Sequence, residues 1–551
     1  MSDFKNSVVY QIYVKSFFDS NGDGIGDLNG IRAKLPYIKS LGVDYIWVTP
    51  FFPSPMFDNG YDVADYCAVN PMFGTMADCE AMIAEADALG MGFMFDMVFN
   101  HTSWDHEWFQ KALQGDAEYM DYYIFRDGVD GGPPLDWICS FGTPAWEYVP
   151  ALDKWYLHLF DKSQPDLNWE NPKVRKELKN VIRFWKGKGV KGFRFDVLNL
   201  VSKPERLEDC GPGSGSRYCK DGPRIHEFIR ELVTDTGLES MVTVGEMAST
   251  TLENCVGYSN PANHELSMCF SFHHLKVDYK DGDKWSLMPP DLSRLRNLFQ
   301  EWQEEMARRG GWNAVFWCNH DQPRIVSRFG DVKRYWKQSA KMLGTFVHLL
   351  RGTPYIYQGE EIGMTNAGFT RIEQYDDVEC RNYYQILLER GVSEADALRV
   401  LGERARDNGR TPMQWDATPN AGFTSGAPWL GLPDNYPTIN VEAEENDPDS
   451  ILHYYRKLVR LRKERPIIAE GDIRFLDTGN EKAFAYERSY DGQKLTVVCN
   501  FSGKRERVIL AQDWSAGRVL IANGPENQID RLSACRLELE PFEAFAILCG
   551  K

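Results

Sequence analysis

No run of about eighteen uncharged apolar residues occurs anywhere in these 551 residues, so nothing in the chain reads as a membrane span. The N-terminal stretch MSDFKNSVVYQIYVKSF lacks the succession of basic segment, apolar stretch and small-residue cleavage site that marks an export signal. A cytoplasmic protein is the expectation. Twelve cysteines are present, but none stands in a CxxC pair able to hold zinc, and their scatter reads as reduced thiols. An excess of positive charge is missing too: 62 Lys and Arg stand against 80 Asp and Glu, a net charge of −18 that opposes phosphate backbones and anionic lipid. Nucleic acid and membrane are thereby excluded as natural partners, and a negatively charged ligand would need a local cationic pocket. Internal repeats, coiled-coil heptads and low-complexity tracts are also absent, and no segment reads as an obligate protein interface.

What is there is an alternation. Short β-rich apolar runs (VVYQIYVKSF, VDYIWVTP, MGFMFDMVFN, GFRFDVLNL, MVTVGEM, SMCFSF, AVFWCNHD and TPYIYQG) are separated by longer helical patterns such as DLNGIRAKLPYIKSLG and ADCEAMIAEADALG. Eight strands of this kind predict a (β/α)8 TIM barrel, with a doubly wound open sheet as the alternative. The barrel is assigned to 1–100 and 171–474. Between them, 101–170 is an insertion after the third strand, rich in Trp, Tyr, Gly and Pro, whose length places an inserted domain over the active face. From 475 to 551 the pattern becomes alternating strands separated by DG, SG and NG turns, which predicts a C-terminal antiparallel β domain of sandwich type.

Chemistry in such a barrel sits where the strands run out. There the sequence places Asp96 and His101 (DMVFNH), Arg194 and Asp196 (GFRFD), Glu246 (TVGE), and His320 and Asp321 (FWCNHD). One charged strand end is ordinarily a rim residue; four together suggest a site. Two carboxylates facing across a pocket are what acetal cleavage with retention requires, one as nucleophile and one as acid/base. Arg194, two residues before Asp196 on one strand, points to the same face and can keep that carboxylate ionised. Glu246, which must hold its proton until the leaving group departs, is expected in a drier and less cationic setting.

These segments, with QPDLN (164–168) and GTPYIYQGEEIGM (352–364), occur in the order of the signature regions of the α-amylase superfamily of glycoside hydrolases, which the chain resembles over nearly its whole length. The resemblance implies that Asp196 is the nucleophile, Glu246 the acid/base and Asp321 the third carboxylate, stabilising the oxocarbenium-like state. It further implies that Tyr61, Asp62, His101, Arg194, His320 and Arg410 grip a glucose in the deepest subsite, with Phe141, Phe160 and Gln164 of the insertion walling the pocket. Those three read equally as core residues. Val197 is similar to the residue following the nucleophile in exo-acting members that cleave α-1,6 or α,α-1,1 links.

The loop DSNGDGIGD (19–27) spaces oxygen ligands at alternate positions, as a hard cation needs, while Gly30 at the twelfth position excludes a true EF-hand. Similar loops in the superfamily imply Ca²⁺, or Mg²⁺, as structural metal held by Asp19, Asn21, Asp23, Asp27 and the Ile25 carbonyl; a solvated acidic loop is the plainer alternative. GEMASTTLENC, ELSMCFSFHHLKVDY and DGPRIHEF are most similar to superfamily members that cleave trehalose 6-phosphate, with oligo-1,6-glucosidases as near relatives. His273, His274, Lys276, Lys284 and Arg224 gather there, and Lys276 and Lys284 are the candidate phosphate ligands, against the alternative of ordinary solvated lysines. The function expected is hydrolysis of trehalose 6-phosphate; the alternatives are action on neutral short α-glucosides and a non-catalytic carbohydrate-binding relative.

Overall fold

The computed structural model describes residues 4–209, 215–510, 514, 517–524 and 536–550, and places Cys210 and Cys535 outside the described residues. Eight parallel strands form its centre: β1 (Val9–Ile12), β2 (Tyr45–Val48), β3 (Gly92–Met97), β4 (Gly192–Phe195), β5 (Val242–Glu246), β6 (Met268–Phe270), β7 (Ala314–Val315) and β8 (Thr353–Tyr357). They pair in the order β7-β8-β1-β2-β3-β4-β5-β6. A parallel bridge from Cys269 to Asn313 then joins β6 to the start of β7, so the sheet is a nearly closed barrel and the open-sheet alternative falls. The AVFWCNHD run makes only a two-residue strand; beyond Val315 it is loop carrying His320 and Asp321.

Strand residues alternate between two packed environments, which is why both faces had to be apolar. Phe93, Phe95, Phe193 and Phe195 face outward into the helical layer. Met94, Val244, Met268, Phe270 and Tyr355 share the inward cluster with Trp47, whose ring lies 5.7 Å from Phe270 and 6.2 Å from Tyr355. The same period of two turns Asp96, Arg194, Asp196 and Glu246 inward at the strands' C-terminal ends. Register completes the arrangement, since Asp96 stands opposite Arg194 and Arg194 opposite Val244.

Helices follow from amphipathic spacing and their caps. In Pro172–Gly187, Val174, Leu178, Val181, Ile182 and Trp185 form the buried stripe, Asn171 accepts a bond from the Lys173 amide, and Pro172 occupies the first turn. Trp185 is fully buried against Phe95 and Phe52; truncating such a residue to Ala costs about 3–5 kcal/mol.

The insertion forms a three-stranded sheet of Phe125–Arg126, Lys154–Leu157 and Trp146–Val149. Its core of Trp137, Trp146, Leu157 and Leu159 packs directly on Val197 and Leu200, next to the end of β4. A second excursion, not foreseen in the sequence, follows β8: helices Val378–Glu389 and Glu394–Arg404 and the short turn Asp407–Arg410 gather around Tyr375, Tyr384 and Leu401. The C-terminal β structure begins at Asp472, slightly before the expected 475. Its five-stranded sheet buries Tyr486, Leu495 and Val497 against the barrel helix Trp336–His348 and packs Ala485, Val498 and Phe545 on the two-stranded sheet of Glu506–Ile509 and Arg536–Leu539. No helix among the described residues is long and apolar enough to cross a membrane.

Candidate active site

One guanidinium organises the floor of the site. Arg194, 1% exposed, donates from Nη1 to Asp96 Oδ1 at 2.7 Å and to Asp196 Oδ1 at 2.6 Å, and from Nη2 to Glu246 Oε2. Asp196 and Glu246 therefore sit on the two arms of a single side chain. The expectation that Glu246 lies away from cationic groups is not met: β4 and β5 are neighbours, and the period of two aims Glu246 at the same inward point as Arg194. Behind them Asp96 accepts from Trp47 Nε1 at 3.0 Å and Tyr61 Oη at 2.9 Å. Burial raises the Asp96 carboxyl above its ordinary range while Arg194 pulls it back. Val197, directly after Asp196, is a β-branched residue at φ 35°. That left-handed turn costs of order 1–3 kcal/mol and is held by the insertion packed against it.

Asp321 faces this pair from the β7 loop. Its Oδ1 accepts from Arg410 Nη2 at 2.8 Å and lies 3.3 Å from Arg406 Nη1. Burial alone would raise this carboxyl, yet His320, Arg406, Arg410 and Arg194 hold it well below the usual carboxylate range. The arginines account for that at neutral pH, because burial pushes His320 down to about 3 and leaves it uncharged. Gln11 Nε2 stands 2.8 Å from His320 Nδ1; with the amide donating, the proton of the neutral ring is on Nε2. His320 Nε2 and Arg410 Nη1 are buried and make no aligned hydrogen bond, although each faces a carboxylate, Asp321 Oδ2 at 3.3 Å and Asp377 Oδ1 at 3.7 Å; both can turn to a sugar hydroxyl as donors. Arg410 is set by its own Nε bond to the His320 carbonyl, 2.9 Å, and by Tyr357 Oη on the Gly409 carbonyl, 2.7 Å. A Cβ at Gly409 would come within 2.6 Å of the Gln322 carbonyl, so only glycine fits before this arginine.

The Tyr61 ring stacks on His320 at 5.0 Å and an interplanar angle of 1°. His101 Nε2 lies 3.0 Å from the Tyr61 carbonyl, and the His101 ring lies 5.3 Å from Phe160, which meets Phe141 edge-on at 5.8 Å. Gln164 donates to Asp58 Oδ2 at 3.1 Å and to the Tyr61 carbonyl at 3.2 Å. The insertion thus contributes one wall. Asp62 is buried beside Tyr61, but its oxygens accept from Ser54 Oγ and from the Phe57 and Asp58 amides. The carboxylate that reaches the arginines is instead Asp58.

Arg406 and Asp58 are what sequence reasoning missed. Arg406 lies under the Phe141 ring, 5.0 Å from its centroid, and binds Asp58 Oδ1 at 2.9 Å as well as Asp377 and Asp321. Its place four residues before Arg410, one helical turn away, was the available signal. Burial raises Asp58 to about 7 despite the pull of Arg406 and Arg410.

The basic segment after β6 divides. Lys284 Nζ is paired with Glu379 at 2.7 Å, and Arg224 with Glu170 and Glu227. Lys284, a candidate phosphate ligand, thus has a carboxylate partner from the excursion after β8. His274 is buried, its Nε2 on the Phe316 carbonyl at 2.9 Å, and burial pushes it down to about 3. Lys276 differs: among the described residues its ammonium bonds the Ser249 hydroxyl alone, three residues beyond Glu246.

In the 19–27 loop, Asp19 accepts from the Asn21, Gly22 and Gly24 amides and from Thr424, Asn21 from the Asp23 amide and Asp23 from the Ile25 amide. Asp27 caps the helix Leu28–Leu41. This succession of oxygen side chains folded onto their own loop fits a hard cation in donor chemistry, although no three acidic or His/Cys side chains converge on one point among the described residues.

Residues 11–471 match the family described as alpha amylase, catalytic domain. The chain is 48% identical over 547 residues to the trehalose-6-phosphate hydrolase of Escherichia coli, covering 98% of each chain. It is 45% identical over 552 residues to the oligo-1,6-glucosidase of Parageobacillus thermoglucosidasius, again covering 98% of each. Its fold superposes on a crystal structure of Bacillus licheniformis trehalose-6-phosphate hydrolase with a TM-score of 0.95 at 47% identity, covering 100% of both chains.

Proposed function

From the premise that this chain belongs to the alpha-amylase family of glycoside hydrolases, we propose that it hydrolyses trehalose 6-phosphate to glucose and glucose 6-phosphate with retention of configuration. One observation carries the chemistry: Asp196 and Glu246 occupy the two arms of Arg194, with Asp321 held ionised beside them. Two carboxylates so close suit double displacement, which needs roughly 5–5.5 Å between them, better than inversion, which needs about 6.5–9.5 Å.

In the first half Asp196 attacks C1 of the unmodified glucose. The C1–O bond breaks, and the glycosidic oxygen takes its proton from Glu246 and leaves as glucose 6-phosphate. In the second half Glu246 removes a proton from water, the hydroxide attacks C1, and Asp196 departs with its electron pair, so one water is consumed and the α configuration is restored. The Glu246–Arg194 pair is that of the ionised acid, the form that serves as base in this second half. As the sugar flattens toward the oxocarbenium state, Asp321 accepts its hydroxyls while His320 Nε2 and Arg410 Nη1 donate, a set of charges already in place.

The phosphate is assigned to the outer loops, where Lys276 brings a cation with no carboxylate partner among the described residues. Identity to an oligo-1,6-glucosidase at equal coverage favours a second reading, action on neutral α-1,6 disaccharides. Product analysis on trehalose 6-phosphate, trehalose, isomaltose and maltose decides between them: kcat/KM at least tenfold higher for the phosphorylated sugar is expected, and a preference for isomaltose overturns the first reading. The ten described cysteines carry free thiols, which supports a reducing, cytoplasmic setting. Ca²⁺, or Mg²⁺, is assigned to Asp19, Asn21, Asp23, Asp27 and the Ile25 carbonyl as a structural ion, remote from the reaction.

A further inference from the structure

We propose that Asn199 is a positioning residue for the acid/base: its side-chain amide, backed by Asp221, clips the loop after Glu246 to the turn after Asp196 and so sets the two carboxylates against each other. The proposal deepens the reading above and rests on Glu246 as the acid/base. The β4–β5 ladder ends at Phe195 opposite Gly245, one residue short of both carboxylates. Beyond it the Asp196 amide donates to the Met97 carbonyl on β3 at 3.0 Å, whereas the Met247 amide, after Glu246, donates to the Phe270 carbonyl on β6 at 3.3 Å. The nucleophile and the acid/base are thus drawn to opposite neighbours just where their separation matters.

Asn199 bridges the gap. Fully buried, it pairs with the peptide groups of Ala248 as another backbone would: its Oδ1 accepts from the Ala248 amide at 3.0 Å, and its Nδ2 donates to the Ala248 carbonyl at 3.2 Å. Because the two ends of the amide meet a donor and an acceptor, its orientation is fixed. Nδ2 also donates to Asp221 Oδ1 at 3.2 Å, and the Asp221 amide donates to the Asn199 carbonyl at 2.8 Å. The Asp221 carboxylate in turn accepts from Thr250 Oγ1 at 2.8 Å and Tyr258 Oη at 2.6 Å, so it grips the far side of the acid/base loop. Three residues other than glycine stand in the left-handed region around this clip, Val197 at φ 35°, Asp221 at φ 50° and Ser249 at φ 50°; such conformations persist where the surroundings over-determine them.

The reaction explains why a neutral clip is needed. Glu246 changes protonation state twice in each cycle. Ionised, it is drawn to Arg194; protonated, it loses most of that attraction and has to stand at the glycosidic oxygen instead. Charge therefore cannot place it in both states. The bonds from Asn199 to the Ala248 peptide involve no charge and are the same in both, so they keep the backbone two residues beyond Glu246 in register with the nucleophile turn throughout. A displacement of about 1 Å at such a group is enough to cost about 100-fold in rate.

The test is the ratio of kcat/KM for the disaccharide that the wild type turns over best to kcat/KM for 4-nitrophenyl α-glucoside, whose leaving group needs little protonation. It is measured for the wild type, Asn199→Ala, Asn199→Asp, the double variant Asn199→Asp with Asp221→Asn, and Glu246→Gln. Asn199→Ala is expected to lower the ratio about 10- to 100-fold, through kcat more than KM. Azide, a nucleophile that needs no general base, is expected to speed its aryl-glucoside turnover but not that of the wild type. Asn199→Asp keeps the volume and the acceptor for the Ala248 amide, so it reads the same loss where the alanine variant fails to fold. It also sets a carboxylate against Asp221, and Asp221→Asn, which returns an N–H to that contact, is expected to recover part of the ratio. A folded Asn199 variant with equal losses on both substrates overturns the proposal. A ratio lowered by Glu246→Gln but not by Asn199→Ala removes the clip and leaves the acid/base assignment standing; a ratio that Glu246→Gln leaves unchanged removes the assignment and the clip with it.

Discussion

Replacing Arg406 by Gln tests whether the site is held by charge or merely decorated with it. The guanidinium is 8% exposed and serves Asp377, at 0%, Asp58, at 6%, and Asp321. Gln keeps much of the volume but leaves two buried carboxylates to Arg410, 3.7 Å from Asp377, with the Lys284 charge farther off. Breaking a buried pair from one side costs about 3–5 kcal/mol, a large share of the 5–15 kcal/mol that stabilises a domain. At about 2 °C per kcal/mol for a large cooperative unit, the loss is about 6–10 °C in Tm at pH 7.5. The pH dependence has a definite sign. In the wild type, Asp377 is depressed despite its burial, chiefly by Arg406 and Arg410; such a group contributes stability above its unfolded value and loses it as pH falls. Asp58 is raised by burial to about 7, against the pull of Arg406; its ionisation opposes folding as pH rises, and more so without the arginine. Both effects make the deficit of the variant greatest at alkaline pH and smaller toward pH 5, where protonation discharges the orphaned acids. Calorimetry of both proteins from pH 5 to 8 measures the gap. A deficit below about 1 kcal/mol at pH 7.5, or one that widens on acidification, refutes the reasoning. Activity on the aryl glucoside should fall about 10- to 100-fold as Asp321 loses a neighbour that orients it.

Asp196→Asn should lower kcat at least about 10⁴-fold with an unchanged circular dichroism spectrum; near-normal turnover would remove it as nucleophile. Glu246→Gln should cost far more on a disaccharide than on 4-nitrophenyl α-glucoside, whose leaving group needs little protonation, and equal losses would contradict the acid role. Chelation should lower Tm in the wild type and leave Asp23→Ala unaffected, with Ca²⁺ at 100 times its Kd returning about 2.7 kcal/mol; an EDTA-insensitive wild type removes the metal. Because Lys276 is lowered to about 8 by burial and by Lys220, KM for trehalose 6-phosphate should climb above that pH as the ammonium deprotonates, with no matching rise for the aryl glucoside. Parallel curves for the two substrates would argue against a phosphate contact.

Much of this protein could be read along the chain. Eight apolar runs, four of them ending in Asp, Glu, His or Arg, determined the barrel and its catalytic end, because period-two alternation in a strand buried on both faces fixes which residue points inward. Asp196, Glu246 and Asp321 are local to such runs, as are the oxygen donors of the 19–27 loop. What tertiary structure decided is which charges meet. Arg194 holding Glu246 as well as Asp196 depends on the register between β4 and β5. Arg406 with Asp58 joins residues 348 positions apart, Asp62 is spent on its own loop, and Lys284 is neutralised by Glu379 while Lys276 is not. A side chain's charge is written in the sequence, but the partner that compensates it is set by the folded path of the backbone.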